Sequence, residues 1–485
     1  MFNTTKTVFI FLFVLIVALN CDNSDTSLNE DLMPTTAKIQ KPDLLSETKI
    51  ADQILVNGNI ITMNPDLPRA KALAISAGKI MFVGSVKDVM SLAGYNTVVM
   101  DVEGKTVLPG FVDAHNHLLS ETIVSGDKTL EEAQEYGLAN GITSMADMSV
   151  GPSVVEPLKA FNNSGLLKIR TSLYLSYSDA CGRSLGNWYL DYPVNLDPSH
   201  MMRIPGVKIF TDGWTCSMLP AFTFSIPNAS YQSPNGNLLV EPDRLYDSLA
   251  ELQENGYQAA VHALGDLAVE NSLDAFDKLL SDKDNVLRHR MEHNMYIRPE
   301  LLSRYGDTGV LPVIWDSKAC FIENALSVHP SKIIETNNYV LEEKAHSWIN
   351  PWRSLIDANP GLNIAYHSDE SWGISTPFLD LYSLVTRNET LFFDNEYLCE
   401  AKDWLRDESL SVEEALNIMT MGSAYSLFME EHIGSLEKGK FADLIVASDD
   451  PTQIKPEQLK DIEVLLTIID GKAEYCGEGY SGYCQ

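Results

Sequence analysis

The run Leu108-Pro109-Gly110-Phe111-Val112-Asp113-Ala114-His115-Asn116-His117 is apolar, is punctuated by Pro-Gly, and ends on two histidines one residue apart. In a strand, successive side chains take opposite faces, so His115 and His117 point the same way and can grip one ion. Neutral imidazole is the usual ligand for zinc and its neighbours, and a pair at i, i+2 supplies half of a four-ligand site. Chance alone can put two histidines on one strand face, so the weight rests on what lies downstream. Lys208 is embedded in the apolar run Gly206-Val207-Lys208-Ile209-Phe210. His262 closes a short apolar run, His293 closes the expected strand His289–His293, and Asp369 follows His367-Ser368. Singly these have ordinary explanations: a hydrogen-bonded core histidine, a lysine whose head reaches water, an aspartate capping a helix. In the order H-x-H, K, H, H, D, at successive predicted strand ends, they form a metal-ligand vocabulary.

The elements that must position these residues alternate along the middle of the chain. Eight short apolar strands are expected at Leu108–His115, Ile142–Met148, Ile169–Leu175, Val207–Thr211, Gln258–His262, His289–His293, Leu311–Trp315 and Leu362–Ser368. Helical stretches lie between them, with amphipathic examples at Leu267–Leu280 and Val412–Phe428. Eight βα units over residues 107–430 predict a (β/α)8 barrel of the TIM type, whose polar residues at the C-terminal strand ends build the active site. Strand-rich segments at 50–106 and 431–485, each broken by Gly turns, predict a small β-sandwich domain built from both termini.

Residues 1–20 read as an export signal: Lys6 precedes an unbroken apolar run, Val8 to Leu19, too short to span a bilayer. Ala18-Leu19-Asn20-Cys21 loosely matches a bacterial lipobox, with Asn20 where a small residue is usual. Cys21 is thus a lipidation candidate, and residues 21–49 a polar, flexible tether. The expected location is periplasmic or cell-surface, as a lipoprotein, or secreted if cleavage falls near Ala18. Cys476 and Cys484 are close enough in sequence to bridge, which export would permit. The net charge is −32, from 67 acidic against 35 basic residues, with no clustered Lys/Arg stripe. Nucleic acid and anionic lipid surfaces both select cationic patches, so neither is an expected partner beyond the lipid anchor itself. A small-molecule substrate is expected, and oligomeric state is open.

Several separated motifs in order make the chain resemble the amidohydrolase superfamily, specifically amidohydrolase family 3, the branch that includes N-substituted formamide deformylases. They are "NGNIITMNPDLPRAKALAISAGKIMFVGS", "LPGFVDAHNHLL", "GVKIFTDG", "HALGDLAVENSLDAF", "RHRMEHNM", "PWRSLIDA", "HSDES" and "IGSLEKGKFADLIVASDDP", spread over about residues 51–455. The resemblance implies that His115, His117 and Asp369 bind one divalent ion, most simply zinc, and that His262 and His293 bind a second. It implies that Lys208 bridges both as its CO2 adduct, a carbamate, since an ammonium has no lone pair to offer. Two such ions acidify a shared water and polarise a carbonyl, and Asp369 would act as general base and then acid.

The implied activity is metal-dependent hydrolysis of a non-peptide C–N bond, amide or formamide-like. A lactonase or ester hydrolase on the same site, and a catalytically silent binding lipoprotein, are the competing readings; the intact six-residue set argues against silence. Departures from the family pattern are His367 where Gly is usual, Leu267 where Arg often follows "GD", and the loop Gly213-Trp214-Thr215-Cys216-Ser217-Met218. His367 shares a strand face with Asp369 and is expected to pack beneath the ligands, with orienting Asp369 or adding a further ligand as the alternatives. Asp212 and Asp266 are expected to position loops, and His289 and Arg290 to orient His293. Trp315, Asp316 and Trp372 lie beyond strands seven and eight, where substrate would sit.

Overall fold

Gly110 divides what the sequence presents as one strand. On its N-terminal side, Thr106–Pro109 pairs antiparallel with Leu444–Ala447 in a six-stranded sheet. On its C-terminal side, Phe111–Asn116 opens an eight-stranded parallel sheet. A Cβ at residue 110 would lie 2.1 Å from the Thr143 side chain, so only glycine lets the two strands approach there. These features come from a computed structural model that describes residues 50–213, 220–225, 233, 235–281, 283–315, 346–369, 375–391 and 394–484. The export segment, the tether, Cys21, Asp316, Trp372 and residues 214–218 lie outside the described residues.

The parallel sheet continues through Ile142–Val150, Arg170–Ser176, Met202–Phe210, Gln258–Ala263, Arg290–His293, Leu311–Trp315 and Ala365–His367, each beside its predecessor. Its ends meet where the Asp369 backbone N–H donates to the His115 carbonyl at 3.0 Å and the Ser368 N–H donates to Asp113 at 3.1 Å. This is the expected (β/α)8 barrel. Its floor is filled by Val112, Met148 and Tyr174 packed against Leu427, Met429 and Ile433, so the interior is a core and not a pore.

The expected helix Leu267–Leu280 is present as Asp266–Leu280, with Val269, Leu273 and Phe276 buried. The expected continuous helix Val412–Phe428 is instead Val412–Asn417, a π turn at Ile418–Gly422, and Ser423–Ser426. The cause is a close approach to strand eight. A Cβ on Gly422 would meet the Ile364 carbonyl oxygen at 2.0 Å. The Ser423 hydroxyl also accepts from Tyr366 N–H at 3.0 Å. A widened turn is how a helix absorbs such a contact.

The six-stranded sheet interleaves both ends of the chain, in the order Lys472–Cys476, Val464–Ile469, Leu444–Ala447, Thr106–Pro109, Asn59–Ile61, Arg69–Ala70. A four-stranded sheet of Lys79–Gly84, Ala72–Ser76, Ala51–Val56 and Ala93–Asp101 completes the small domain. Leu55, Leu73, Ile75, Val107, Leu444 and Ile468 share one buried cluster between them. Arg170, at the start of barrel strand three, donates to Asp443 at 2.6 Å with both side chains buried, tying barrel to sheet. Cys476 and Cys484 are disulfide-bonded, and Cys181 and Cys399 are disulfide-bonded cysteines as well.

Candidate metal centre

His115 and His117 do reach one point, though not by strand alternation alone. The strand ends at Asn116, its register shifts between Asp113 and Asn116, and His117 caps the following helix, Leu118–Ser125. Both Nε2 atoms nevertheless converge on Asp369 Oδ1, at 3.0 Å from His115 and 3.1 Å from His117. The other ring nitrogen of each is committed elsewhere: His115 Nδ1 donates to Glu292 at 2.8 Å, and His117 Nδ1 donates to the Met148 carbonyl at 3.1 Å. Those bonds fix the rings so that Nε2 is the atom offered to the site. Burial opposes protonation of His117, but the hydrogen bond and charge of Asp369 outweigh it and raise its pKa. Burial alone would raise the Asp369 carboxyl, yet the surrounding imidazoles hold it well below the usual carboxylate range.

Strand six carries a residue that the sequence reading passed over. Arg290 and Glu292 alternate onto the inner face, where the guanidinium grips the carboxylate through Nε at 2.6 Å and Nη2 at 2.7 Å. By alternation His293 should then face outward. Its φ of +71° instead turns it inward, and Asn294 follows at +55°, braced by bonds to the Met291 and Val313 carbonyls. Left-handed backbone at a non-glycine residue is costly and clusters at functional sites; Asp369, at +58°, shares it. Burial pushes Glu292 up, but Arg290 and His115 overcome this and hold it far below its ordinary value. The legible signal was Arg-x-Glu spacing inside "RHRMEHNM". The positive φ that lets Glu292 and His293 share the interior has no sequence signature.

Glu292→Gln is therefore expected to strand a fully buried Arg290 guanidinium, at a cost of about 3–5 kcal/mol. It would also release His115 Nδ1 and lower metal affinity by roughly 10–100-fold. Thermal unfolding and a metal titration check the two effects separately.

Lys208 is 1 % exposed, with Nζ 3.4 Å from His115 Nε2 and 5.2 Å from the Phe210 ring centre. Val207 and Ile209 belong to the core shared with the outer helices. Burial lowers the Lys208 pKa to about 8. His262, its ring centre 4.5 Å from that of His293, is pushed down to about 3 by burial and by Lys208. Burial likewise keeps His293 and His367 neutral, with lone pairs available.

His115, His293, His367 and Asp369 each place one donor atom within 4.8 Å of the others. Both ring nitrogens of His293, and both of His367, are buried with no hydrogen-bond partner. Buried polar atoms are nearly always satisfied, so four orphaned imidazole nitrogens beside a carboxylate are the pattern of a metal-binding centre. The residues present fit a divalent cation.

The remaining predicted residues sort by contact. Asp212 accepts N–H bonds from Ala221, Leu264 and Gly265 at 2.8–3.1 Å and lies 3.5 Å from His262. Burial raises it to about 7 in spite of those donors. Asp266 accepts from the Thr223 backbone and hydroxyl. Both therefore position loops. His289 does not orient His293: its Nδ1 accepts from Ala259 N–H at 2.9 Å and its Nε2 lies 3.1 Å from Gln253, on the far side of strand five. Arg290 acts on His115 through Glu292. Trp315 donates to the Ser368 carbonyl at 3.0 Å and places its ring 5.3 Å from that of His293.

Two further carboxylates escaped the sequence reading. Asp113 accepts from Ser368 and Asn116 and seams strand eight to strand one. Asp147 accepts the Leu119 and Ser120 N–H groups at the start of the helix after His117, and burial raises it to about 6.

The amidohydrolase family model matches residues 127–475. Protein LONG AFTER FAR-RED 3 of Arabidopsis thaliana is 23% identical, over 88% of this chain and 92% of its own length. The N-substituted formamide deformylase of Arthrobacter pascens is 22% identical, over 88% and 99%. A crystal structure described as an uncharacterized metal-dependent hydrolase from Pyrococcus furiosus superposes with a TM-score of 0.64 at 19% identity, over 83% of this chain and all of that one. With a barrel of this type and a histidine–carboxylate cluster at its strand ends, the chain belongs to the amidohydrolase family.

Proposed function

We propose that this protein is an exported, metal-dependent hydrolase that cleaves a non-peptide C–N bond, amide or formamide-like, in a small molecule. The observation that carries the reading is the convergence of His115, His117 and His293 on the Asp369 carboxylate, with Lys208 and His262 beside them, at the C-terminal end of the barrel. When bound, divalent metal, most simply zinc, would supply Lewis-acid polarisation of the scissile carbonyl and acidify the hydrolytic water. His115, His117, His262, His293 and Asp369 would hold it, with Lys208 as a carbamate between two ions. The imidazoles around Asp369 hold its carboxyl well below the usual carboxylate range, which supports a role in taking the proton of the attacking water and returning it to the leaving amine. Trp315, its ring centre 5.3 Å from that of His293, would offer an apolar surface to the substrate.

The amide assignment draws on the formamide deformylase among the relatives. Export is supported by the disulfide-bonded cysteines, which persist in oxidising compartments. Lipidation at Cys21 would add the membrane anchor. Profiling metal-loaded protein against N-substituted formamides, N-acyl amino acids and lactones tests the reading. Turnover confined to the C–N substrates is expected. Turnover confined to lactones would replace the amide assignment, and none with any class would leave a binding protein.

A further inference from the structure

His367 is fully buried at the end of barrel strand eight, and its two faces are already used. Its ring stacks on His115 at 4.8 Å and 24°, and on Trp315 at 5.5 Å and 30°. It meets His293 edge to face, at 4.8 Å and 73°. Stacking of this kind needs only ring faces and would be served as well by phenylalanine, which has no polar atoms to bury. What histidine adds is its edge, and both edge nitrogens are buried without a hydrogen-bond partner. One of them lies within 4.8 Å of donor atoms from His115, His293 and Asp369.

We infer that His367 is itself a metal ligand, joining His115, His293 and Asp369 in a set of three imidazoles and one carboxylate. The inference rests on the metal-binding part of the proposed function but not on hydrolysis. Such a donor set favours zinc, cobalt, nickel or ferrous iron over magnesium and calcium, which prefer all-oxygen sites. It also gives this chain a ligand from the last residue of strand eight, two residues before Asp369.

The test uses full-length protein stripped of metal and titrated with Co(II) alone, followed by visible absorption and by X-ray absorption for the number of imidazoles bound. His367→Phe keeps an aromatic face for both stacking contacts. Its affinity for Co(II) is expected to fall at least about tenfold, with one imidazole fewer in the scattering and an altered visible band. His367→Gln, with a smaller side chain, decides the matter if the phenylalanine variant does not fold. A folded variant with wild-type affinity, band and imidazole count would overturn the assignment and leave His367 holding buried water. Wild-type protein that binds Co(II) through His367 yet hydrolyses no amide would defeat the hydrolase reading and leave this one standing. Amide hydrolysis by the wild type, with unchanged Co(II) binding in the variant, would do the reverse.

Discussion

Replacing Asp369 with asparagine is expected to lower kcat by roughly 10²–10⁴-fold while the protein stays folded, the scale of lost general acid–base help. The change conserves size and leaves one side-chain oxygen for His115 and His117, which now approach Oδ1 at 3.0 and 3.1 Å. The backbone bond from Asp369 N–H to the His115 carbonyl, which closes the barrel, is untouched. What disappears is the charge that accepts a proton. An amide can still be an oxygen ligand, but it is too weak a base to take a proton from water. Steady-state kinetics at matched metal content check the prediction, because a variant that simply lost metal would show the deficit in the metal assay first. Wild-type kcat in a fully loaded variant would remove Asp369 from proton transfer.

Lys208→Ala is expected to drop bound metal from about two ions per chain to one or fewer, with turnover falling in step. Lys208 is buried on an apolar strand, its Nζ 3.4 Å from the His115 nitrogen that faces the site. An ammonium there would confront any cation at short range without a lone pair to offer. Under the proposed function, reaction of the neutral amine with CO2 would form an N–C bond and release a proton. The carbamate would carry negative charge and two oxygens able to serve as metal ligands. Lys208→Asp and Lys208→Glu, with bicarbonate irrelevant to both, should restore part of the metal as carboxylate stand-ins. Inductively coupled plasma analysis of the three variants reads the outcome directly. Full occupancy and full activity in the alanine variant would mean that the centre assembles without Lys208.

Much of this architecture was legible because period and punctuation carry it. Short β-branched runs alternating with amphipathic helices announced the parallel barrel, and Gly-rich strand texture at both ends announced the shared β domain. The ligand candidates were legible as residue types at strand ends. Less legible was anything set by a single backbone torsion or a single close approach. Gly110 splits one apparent strand between two sheets because no side chain fits against Thr143. Gly422 and Ser423 turn part of a helix into a π turn because strand eight lies against them. His289 and His293 stand four apart in one motif, yet one braces strand five and the other faces the site. The reversal at His293 depends on φ, which residue type does not dictate for histidine. Glu292, next to a histidine already assigned to the interior, was hidden by that same break in alternation.

The most direct test of the account is metal removal and return in the wild-type protein. Protein purified without chelators is assayed for bound metal and for hydrolysis of an N-substituted formamide, stripped, and then reloaded with zinc in the presence of bicarbonate. The account predicts bound divalent metal at isolation, loss of turnover on stripping, and recovery on reloading. Turnover that survives complete removal of metal, or a protein that binds no divalent ion under any of these conditions, would contradict it.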